Sequence, residues 1–475
     1  MARRTGSAGH ATPAAPAARG RPRTGWRSDV VLAVIVLLVT APVLQPLMTQ
    51  QIARYALTAA LWEEGTVVID AYEHLLGVDH AERDGRLYSD KAPGQPVLGV
   101  PAYAAYRALG GHPATEARVF ADPGLWAVTL VSAMLPAALL AVAMRHLALR
   151  VAPRRATHAA LGLALGTLLL PFGTLLFSHV LSALLGLVAY RVLTGGDGRH
   201  RAGPHPGRLA AAGALAGAAV TVEYTAALVA VAVTLVAVMA WRWRALWVAL
   251  GGAAPALLLG GYHWVAFGHP LQTGYQHNVF AELTGLADSA RPEAWGPDPL
   301  MLASVLAGER GLFVLTPLVA VGVAGLVVLV RGRGPARRDA VVGLALVGAF
   351  LLLMSGWSNP TGGASPGPRY VVPALPFLAG GVAWVWARVP IVAWLAAAVG
   401  VATMGLATFT QPLVARFDVA VVEWWTRLRA GSTAQTWLTE STGSAWALLP
   451  PLVLAAALAA WLLAAGEAAP GRKGG

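Results

Sequence analysis

Apolar stretches of about 17–25 residues, each long enough to cross the hydrocarbon of a bilayer, recur along nearly the whole chain. Segmenting on them gives about twelve spans: 30–48, 125–144, 157–172, 175–193, 209–222, 224–241, 245–266, 311–330, 340–356, 370–387, 390–410 and 444–465. With 56% hydrophobic and only 12% charged residues over 475 positions, little sequence remains for a soluble domain. The spans have the length of helices, so the expected fold is an all-α integral membrane protein, a polytopic bundle of about twelve transmembrane helices.

Charge placement tests this segmentation. With the N-terminus in the cytoplasm, the cytoplasmic pieces hold 23 of the 35 basic residues and four of the 23 acidic ones. Arg145, Arg150, Arg154 and Arg155 form one such group, Arg242 and Arg244 another, and Arg331, Arg333, Arg337 and Arg338 a third. That is the positive-inside pattern, which predicts both termini inside and a multi-pass protein of the cytoplasmic membrane. The net charge of +12 is therefore a topology signal, and no soluble basic face exists to read nucleic acid. Residues 1–28, rich in Ala, Pro, Gly and Arg, read as a disordered tail, 29–466 as one membrane domain, and 467–475 as a short cytoplasmic tail. The chain has no cysteine, which excludes disulfide and thiolate chemistry.

The remaining polar residues gather on the external side, in loops 49–124, 268–310 and 411–443. In the first loop, 51–64 and 96–109 have helical periodicity with a mixed face, so they are expected as helices lying along the membrane surface. The loop also carries Glu63, Asp70 and the run Tyr88-Ser89-Asp90-Lys91-Ala92-Pro93-Gly94. Lys91 and Lys473 are the only lysines in an arginine-rich chain, which suggests a compact ammonium wanted as a point charge for phosphate. The plainer reading is a solvated loop lysine. Glu223, His179, Arg310 and Arg369 fall at external helix ends, where Arg310 and Arg369 either snorkel to the interface or face a cavity. His179 reads more simply as a packed helix-end residue than as a metal ligand, because no H-x-x-x-H or paired-carboxylate motif supports it.

Four short motifs occur in order: Ser89-Asp90-Lys91-Ala92-Pro93-Gly94, Phe267-Gly268-His269-Pro270 with Thr273-Gly274-Tyr275, Arg310-Gly311-Leu312-Phe313 with Thr316-Pro317, and Gly367-Pro368-Arg369-Tyr370. These four motifs resemble those of an actinobacterial-type set of membrane proteins, and the long first external loop, the element Tyr88-Ser89-Asp90-Lys91-Ala92-Pro93-Gly94 and the dozen spans resemble the GT-C superfamily of membrane glycosyltransferases. The likeness is to bacterial relatives of the protein O-mannosyltransferases and the aminoarabinose or galacturonic-acid lipid-A transferases. The chain departs from the better-known members after the first span, where Thr49-Gln50-Gln51-Ile52-Ala53-Arg54-Tyr55 lacks their acidic pair.

The resemblance implies an inverting hexosyl or pentosyl transfer from a polyprenyl-phosphate sugar, the lipid-linked co-substrate, to an envelope glycan, lipid or protein acceptor. It implies no firm cofactor and leaves a divalent metal open. Such chemistry needs a base for the acceptor hydroxyl, cations for the departing phosphate, and an apolar groove for the isoprenoid. Asp70 is the first choice as base, Glu63 the second and Asp90 the third. Lys91, Arg369 and Arg310 would hold phosphate. Tyr88, Tyr275, Trp357, Tyr370, Glu223 and His179 would contact sugar or acceptor. The alternative is a transporter or lipid flippase, which should place ionisable groups at mid-membrane and show broken helices in matched halves. Charges within the spans are almost absent, which favours surface chemistry. A non-enzymatic scaffold is the third reading.

Overall fold

The computed structural model describes residues 25–195, 204–279, 296–357, 359–414 and 419–467. Most of the expected terminal tails and parts of the second and third loops lie outside these residues, although helix Trp26–Thr40 begins within the expected N-terminal tail. Helices dominate, as the apolar runs require once backbone polar groups must be satisfied without water.

Among the described residues, six helices are long and apolar enough to cross a membrane: Pro123–Ala148, Tyr224–Phe267, Pro335–Ser355, Arg369–Arg388, Pro390–Phe409 and Ala445–Ala465. A seventh arises if Pro299–Leu315 and Leu318–Val330, bent by 96° at Thr316-Pro317, form one broken span. His179–Thr194 and Pro206–Val222 are apolar but shorter. The expectation of about twelve spans is thus matched in part, for an identifiable reason. The 44-residue segment Tyr224–Phe267 contains two of the expected spans, separated at Arg242, whose φ is +51°. The segment expected at 157–172 breaks instead into Ala156–Leu165 and Leu169–Phe172.

Close backbone approach sets the packing of the middle of the bundle. Helices Pro206–Val222 and Leu246–Phe267 meet at Gly213 and Gly251, where an added Cβ would lie 1.9 Å from the carbonyl oxygens of Val248 and Ala210. Small residues at such a crossing let dispersion contacts form along both helices, which is how helices associate where lipid removes the hydrophobic driving force.

The first loop folds into a cap on this bundle. Helices Gln50–Glu63 and Gly94–Ala108 form where periodicity places them, yet Gln50–Glu63 is mostly buried in protein. Between them lie a 3₁₀ turn, Asp70–Leu75, and a two-stranded antiparallel hairpin, Ala81–Arg83 with Arg86–Tyr88. Its two-residue turn, Asp84-Gly85, has φ of +53° and +71°, the left-handed pair that matches strand twist.

Two groups of buried polar residues bear on the candidate site and its scaffold. Asp29 with Arg145 (2.6 Å) and His146 (2.8 Å), and Asp339 with Arg150 (3.0 Å) and Tyr190 (2.6 Å), tie together helix ends in the arginine-rich part of the sequence. The other cluster gathers beneath the first-loop cap.

Candidate functional site

The second cluster is assembled from six separate stretches. Asp90 and Lys91 lie between the hairpin and helix Gly94–Ala108, and both are buried, at 0% and 5% exposure. The Lys91 ammonium donates to Asp90 Oδ2 and lies 4.0 Å from Asp79 Oδ1. Asn278 Nδ2, from the second loop, donates to the same Asp90 oxygen at 2.6 Å. Tyr275 lies on the Gly274–His277 turn, its ring centroid 5.1 Å from the Lys91 ammonium, a cation–π distance. Gly274 permits this approach: a Cβ there would stand 2.4 Å from the Asp90 Cα.

Arg54 enters from helix Gln50–Glu63. Its guanidinium donates to Gln50 and, at 3.0 Å, to Ser178 Oγ, which in turn donates to Glu223 Oε2 at 2.5 Å. His179 opens helix His179–Thr194 and places Nδ1 3.4 Å from the same Glu223 oxygen. Arg369 begins the apolar segment Arg369–Arg388 and donates to the Tyr370 hydroxyl at 3.1 Å. The Arg54 and Arg369 guanidinium carbons each lie 5.9 Å from the Phe177 ring centroid. Trp357 packs on Tyr370 at 5.4 Å and Tyr370 faces His179 at 5.7 Å.

Burial pushes the Tyr275 phenol well above its ordinary range, with the charges of Tyr370, Glu223 and Asp90 adding to the effect. Desolvation lowers the Arg54 guanidinium from its ordinary value, while Glu223, Tyr275 and Asp90 favour its charge.

Several polar atoms here are buried without a hydrogen-bond partner among the described residues: Asp90 Oδ1, Arg54 Nε, Arg369 Nε and both ring nitrogens of His179. Buried polar groups are ordinarily paired, so a concentration of orphans beside two cations calls for an occupant. Arginine Nε atoms can only donate and the carboxylate oxygen can only accept. A complementary molecule would therefore present both acceptors and a donor.

An apolar cavity of about 430 Å³ adjoins the cluster, between the first-loop cap and helices Pro206–Val222 and Leu246–Phe267. Leu57, Leu61, Val97, Leu258, Leu259 and Tyr262 line it. The Tyr262 hydroxyl donates to the Ser89 carbonyl at 3.3 Å, one residue from Asp90, so the cavity opens beside the polar cluster.

The structure therefore brings together Asp90, Lys91, Arg369, Glu223, His179, Tyr275, Tyr370 and Trp357. Other expected site residues are engaged elsewhere. Asp70 accepts from Arg86 Nη1 and from the Leu87 backbone N–H, both at 2.7 Å, and so fastens the 3₁₀ turn to the hairpin. Glu63 pairs with Arg107 at 2.6 Å and accepts from the Tyr103 hydroxyl at 2.9 Å. Arg310 is buried and donates to the carbonyls of Ser365 and Val414 at 3.3 and 3.1 Å. Tyr88 packs against Phe267 at 5.7 Å. Sequence reasoning missed Arg54, Ser178 and Asn278. The signal for Arg54 was present, since it is a cation inside the otherwise apolar run Ile52-Ala53-Arg54-Tyr55-Ala56-Leu57. Among the described residues, no group of three or more His, Asp or Glu is placed to hold a metal ion.

No family model matches the sequence, and no curated protein does. Among solved structures, the chain is similar to ArnT from Cupriavidus metallidurans bound to undecaprenyl phosphate, with a TM-score of 0.49 and 18% identity over 94% of this chain and 77% of that one. It is also similar to the oligosaccharyltransferase AglB from Archaeoglobus fulgidus in complex with an inhibitory peptide and a dolichol-phosphate (TM-score 0.42, 15% identity, 94% of this chain and 56% of that one). A third likeness is to the arabinosyltransferase EmbB from Mycobacterium smegmatis (TM-score 0.43, 12% identity, 93% of this chain and 41% of that one). All three are GT-C glycosyltransferases, the superfamily that the sequence motifs resemble.

Proposed function

We propose that this protein is a glycosyltransferase that moves a sugar from a polyprenyl-phosphate donor to an acceptor hydroxyl. Its site would lie on the external face of the cytoplasmic membrane, with both termini inside. The observation that carries this reading is the Asp90 carboxylate. One oxygen is held by Lys91 and Asn278, and the other is buried without a hydrogen-bond partner among the described residues, where its charge acts on the Arg54 guanidinium.

In the proposed step the acceptor oxygen attacks the anomeric carbon from the face opposite the phosphate. A new C–O bond forms as the bond to the phosphate oxygen breaks, and the configuration inverts. The leaving phosphate keeps the electron pair, and Lys91 and Arg369, with Arg54 beside them, stabilise the charge that develops there. Asp90 Oδ1 accepts the proton of the acceptor hydroxyl. Of the three carboxylates expected as base, Asp90 alone stands in this cluster, whereas Asp70 and Glu63 have the structural partners described above. Tyr275, Tyr370 and Trp357 supply ring faces for sugar, with Glu223 and His179 beside them. The 430 Å³ apolar cavity suits the first isoprene units of the carrier, since its wall meets the polar cluster at Tyr262.

The test uses purified protein in nanodiscs and a panel of radiolabelled polyprenyl-phosphate sugars. The reading predicts saturable binding that is lost in both Lys91→Ala and Arg369→Ala. If no donor in the panel binds, the reading falls and lipid flipping becomes the activity to assay.

A further inference from the structure

A cavity of about 410 Å³ opens at the far end of helix His179–Thr194 from the candidate site, next to the start of helix Pro206–Val222. Val188, Arg191, Val192, Gly195 and Arg208 line it. Its volume falls in the range of about 300–1,000 Å³ typical of ligand pockets. Among the described residues, its two arginines donate only to neutral acceptors. Arg191 donates to the Ala143 carbonyl at 3.1 Å and to the His146 Nδ1 lone pair at 3.2 Å, and Arg208 donates to the Leu193 carbonyl at 2.9 Å. The Nε of each is buried without an acceptor. The acids of this region are engaged by other groups, Asp29 by Arg145 and His146, and Asp339 by Arg150 and Tyr190. An arginine that only snorkels turns its guanidinium to water, whereas these two are tied to helix carbonyls beside a cavity.

Val188, Val192 and Gly195 fall at i, i+4 and i+7, so they share one helix face over about 10 Å. The two valines give the cavity an apolar wall, and Gly195, exposed just past the last turn, leaves its outer end open. Arg208 stands in the first turn of helix Pro206–Val222, where the helix dipole also favours an anion. We propose that this cavity holds the phosphate of an anionic phospholipid, drawn from the leaflet on the arginine-rich side, with the start of an acyl chain along Val188 and Val192. Basic pockets between membrane helices bind anionic headgroups in this way, and guanidinium groups suit phosphate oxygens as paired donors. A zwitterionic choline headgroup would bring a further cation to the two arginines, and a free phosphate would leave the apolar wall unused. The site is separate from the proposed glycosyl transfer. Residues 196–203, between the two helices, lie outside the described residues and form no part of it.

The experiment measures lipid binding to the full chain by native mass spectrometry from micelles, with phosphatidylglycerol and phosphatidylcholine of matched acyl chains. The wild type should bind phosphatidylglycerol roughly tenfold more tightly than phosphatidylcholine, the scale of one or two charge-assisted bonds. Arg191→Gln combined with Arg208→Gln should bring the two lipids within about twofold, and Arg208→Gln alone, which gives up one bond to a carbonyl, should remove part of the preference. Arg331→Gln combined with Arg333→Gln, on exposed arginines of the same arginine-rich side, should leave the preference within about twofold of wild type. Val192→Asn keeps both charges and should weaken phosphatidylglycerol severalfold through its chain contact, and equimolar glycerol 3-phosphate should displace little of the lipid. Equal affinity for the two lipids, an undiminished preference in the folded Arg191/Arg208 variants, or an equal loss in the Arg331/Arg333 control overturns the proposal. Displacement by equimolar glycerol 3-phosphate, with Val192→Asn without effect, would show a site for free phosphate and overturn the lipid assignment.

Discussion

Asn278 Nδ2 donates to Asp90 Oδ2 at 2.6 Å across 188 residues of sequence. This bond joins the second loop to the first and aims the Asp90 carboxylate by holding one oxygen while leaving the other unpartnered. Asn278→Ala should therefore lower turnover about tenfold, the scale on which a mispositioned base loses efficiency, with donor affinity little changed. Steady-state kinetics with varied donor checks this. A rise in KM without a fall in kcat would place Asn278 in donor binding instead.

Lys91 and Arg369 are predicted to act on the phosphate. Lys91→Ala should weaken donor binding by roughly 10–100-fold, the cost of a charge-assisted bond in a desolvated site, and should alter acceptor KM far less. Arg369→Lys should recover only part of the wild-type affinity, because a point charge does not reproduce the guanidinium fork. Equal losses toward donor and acceptor would show a collapsed site rather than a missing phosphate contact.

Asp70 is predicted to be structural. Its two 2.7 Å bonds clamp the 3₁₀ turn to the hairpin, so Asp70→Asn should destabilise the first-loop cap by about 1–3 kcal/mol. Limited proteolysis in the first loop should quicken in the variant while turnover at low temperature persists. Abolished turnover in an intact cap would return Asp70 to the chemistry.

The buried phenols of the cap predict its alkaline limit. Burial raises Tyr72, helped by Glu64 and Glu63, and raises Tyr103, helped by a hydrogen bond to Glu63. A raised phenol has no effect on stability while folded and unfolded chains are both protonated. Above the unfolded value of about 10, only the unfolded chain ionises readily, so stability falls as pH climbs toward the higher folded values. Tyrosinate absorbance should therefore appear together with cap opening above about pH 10. Tyr103→Phe should reduce the steepness of that transition, and tyrosinate formed well before opening would contradict the burial account.

The helical membrane fold was legible because lipid imposes a strong length and polarity constraint on every span. Helices Gln50–Glu63 and Gly94–Ala108 could be read from periodicity within a residue or two, but the burial of the first could not, since that depends on what covers it. Lys91 announced itself by rarity, and Arg369 and Glu223 by their place at helix ends. Asp70 drew notice as an acid closing an apolar run, but its partners Arg86 and Leu87 lie across the hairpin and could not be read from that run. Asn278 and Ser178 were hidden for the same reason: an uncharged polar residue gains its meaning from a partner over a hundred residues away. The span count was blurred where Arg242 divides a 44-residue apolar segment and where the segment expected at 157–172 breaks in two.

The most direct test of the proposed chemistry is Asp90→Asn, assayed side by side for donor binding and for sugar transfer in nanodiscs. The amide keeps the shape of the carboxylate but cannot take the acceptor proton. We predict donor affinity within a few-fold of wild type and transfer lowered by about 10²–10⁴-fold, the range of general-base catalysis. Transfer at a near-normal rate in a variant that binds donor normally would contradict the assignment of Asp90 as the base.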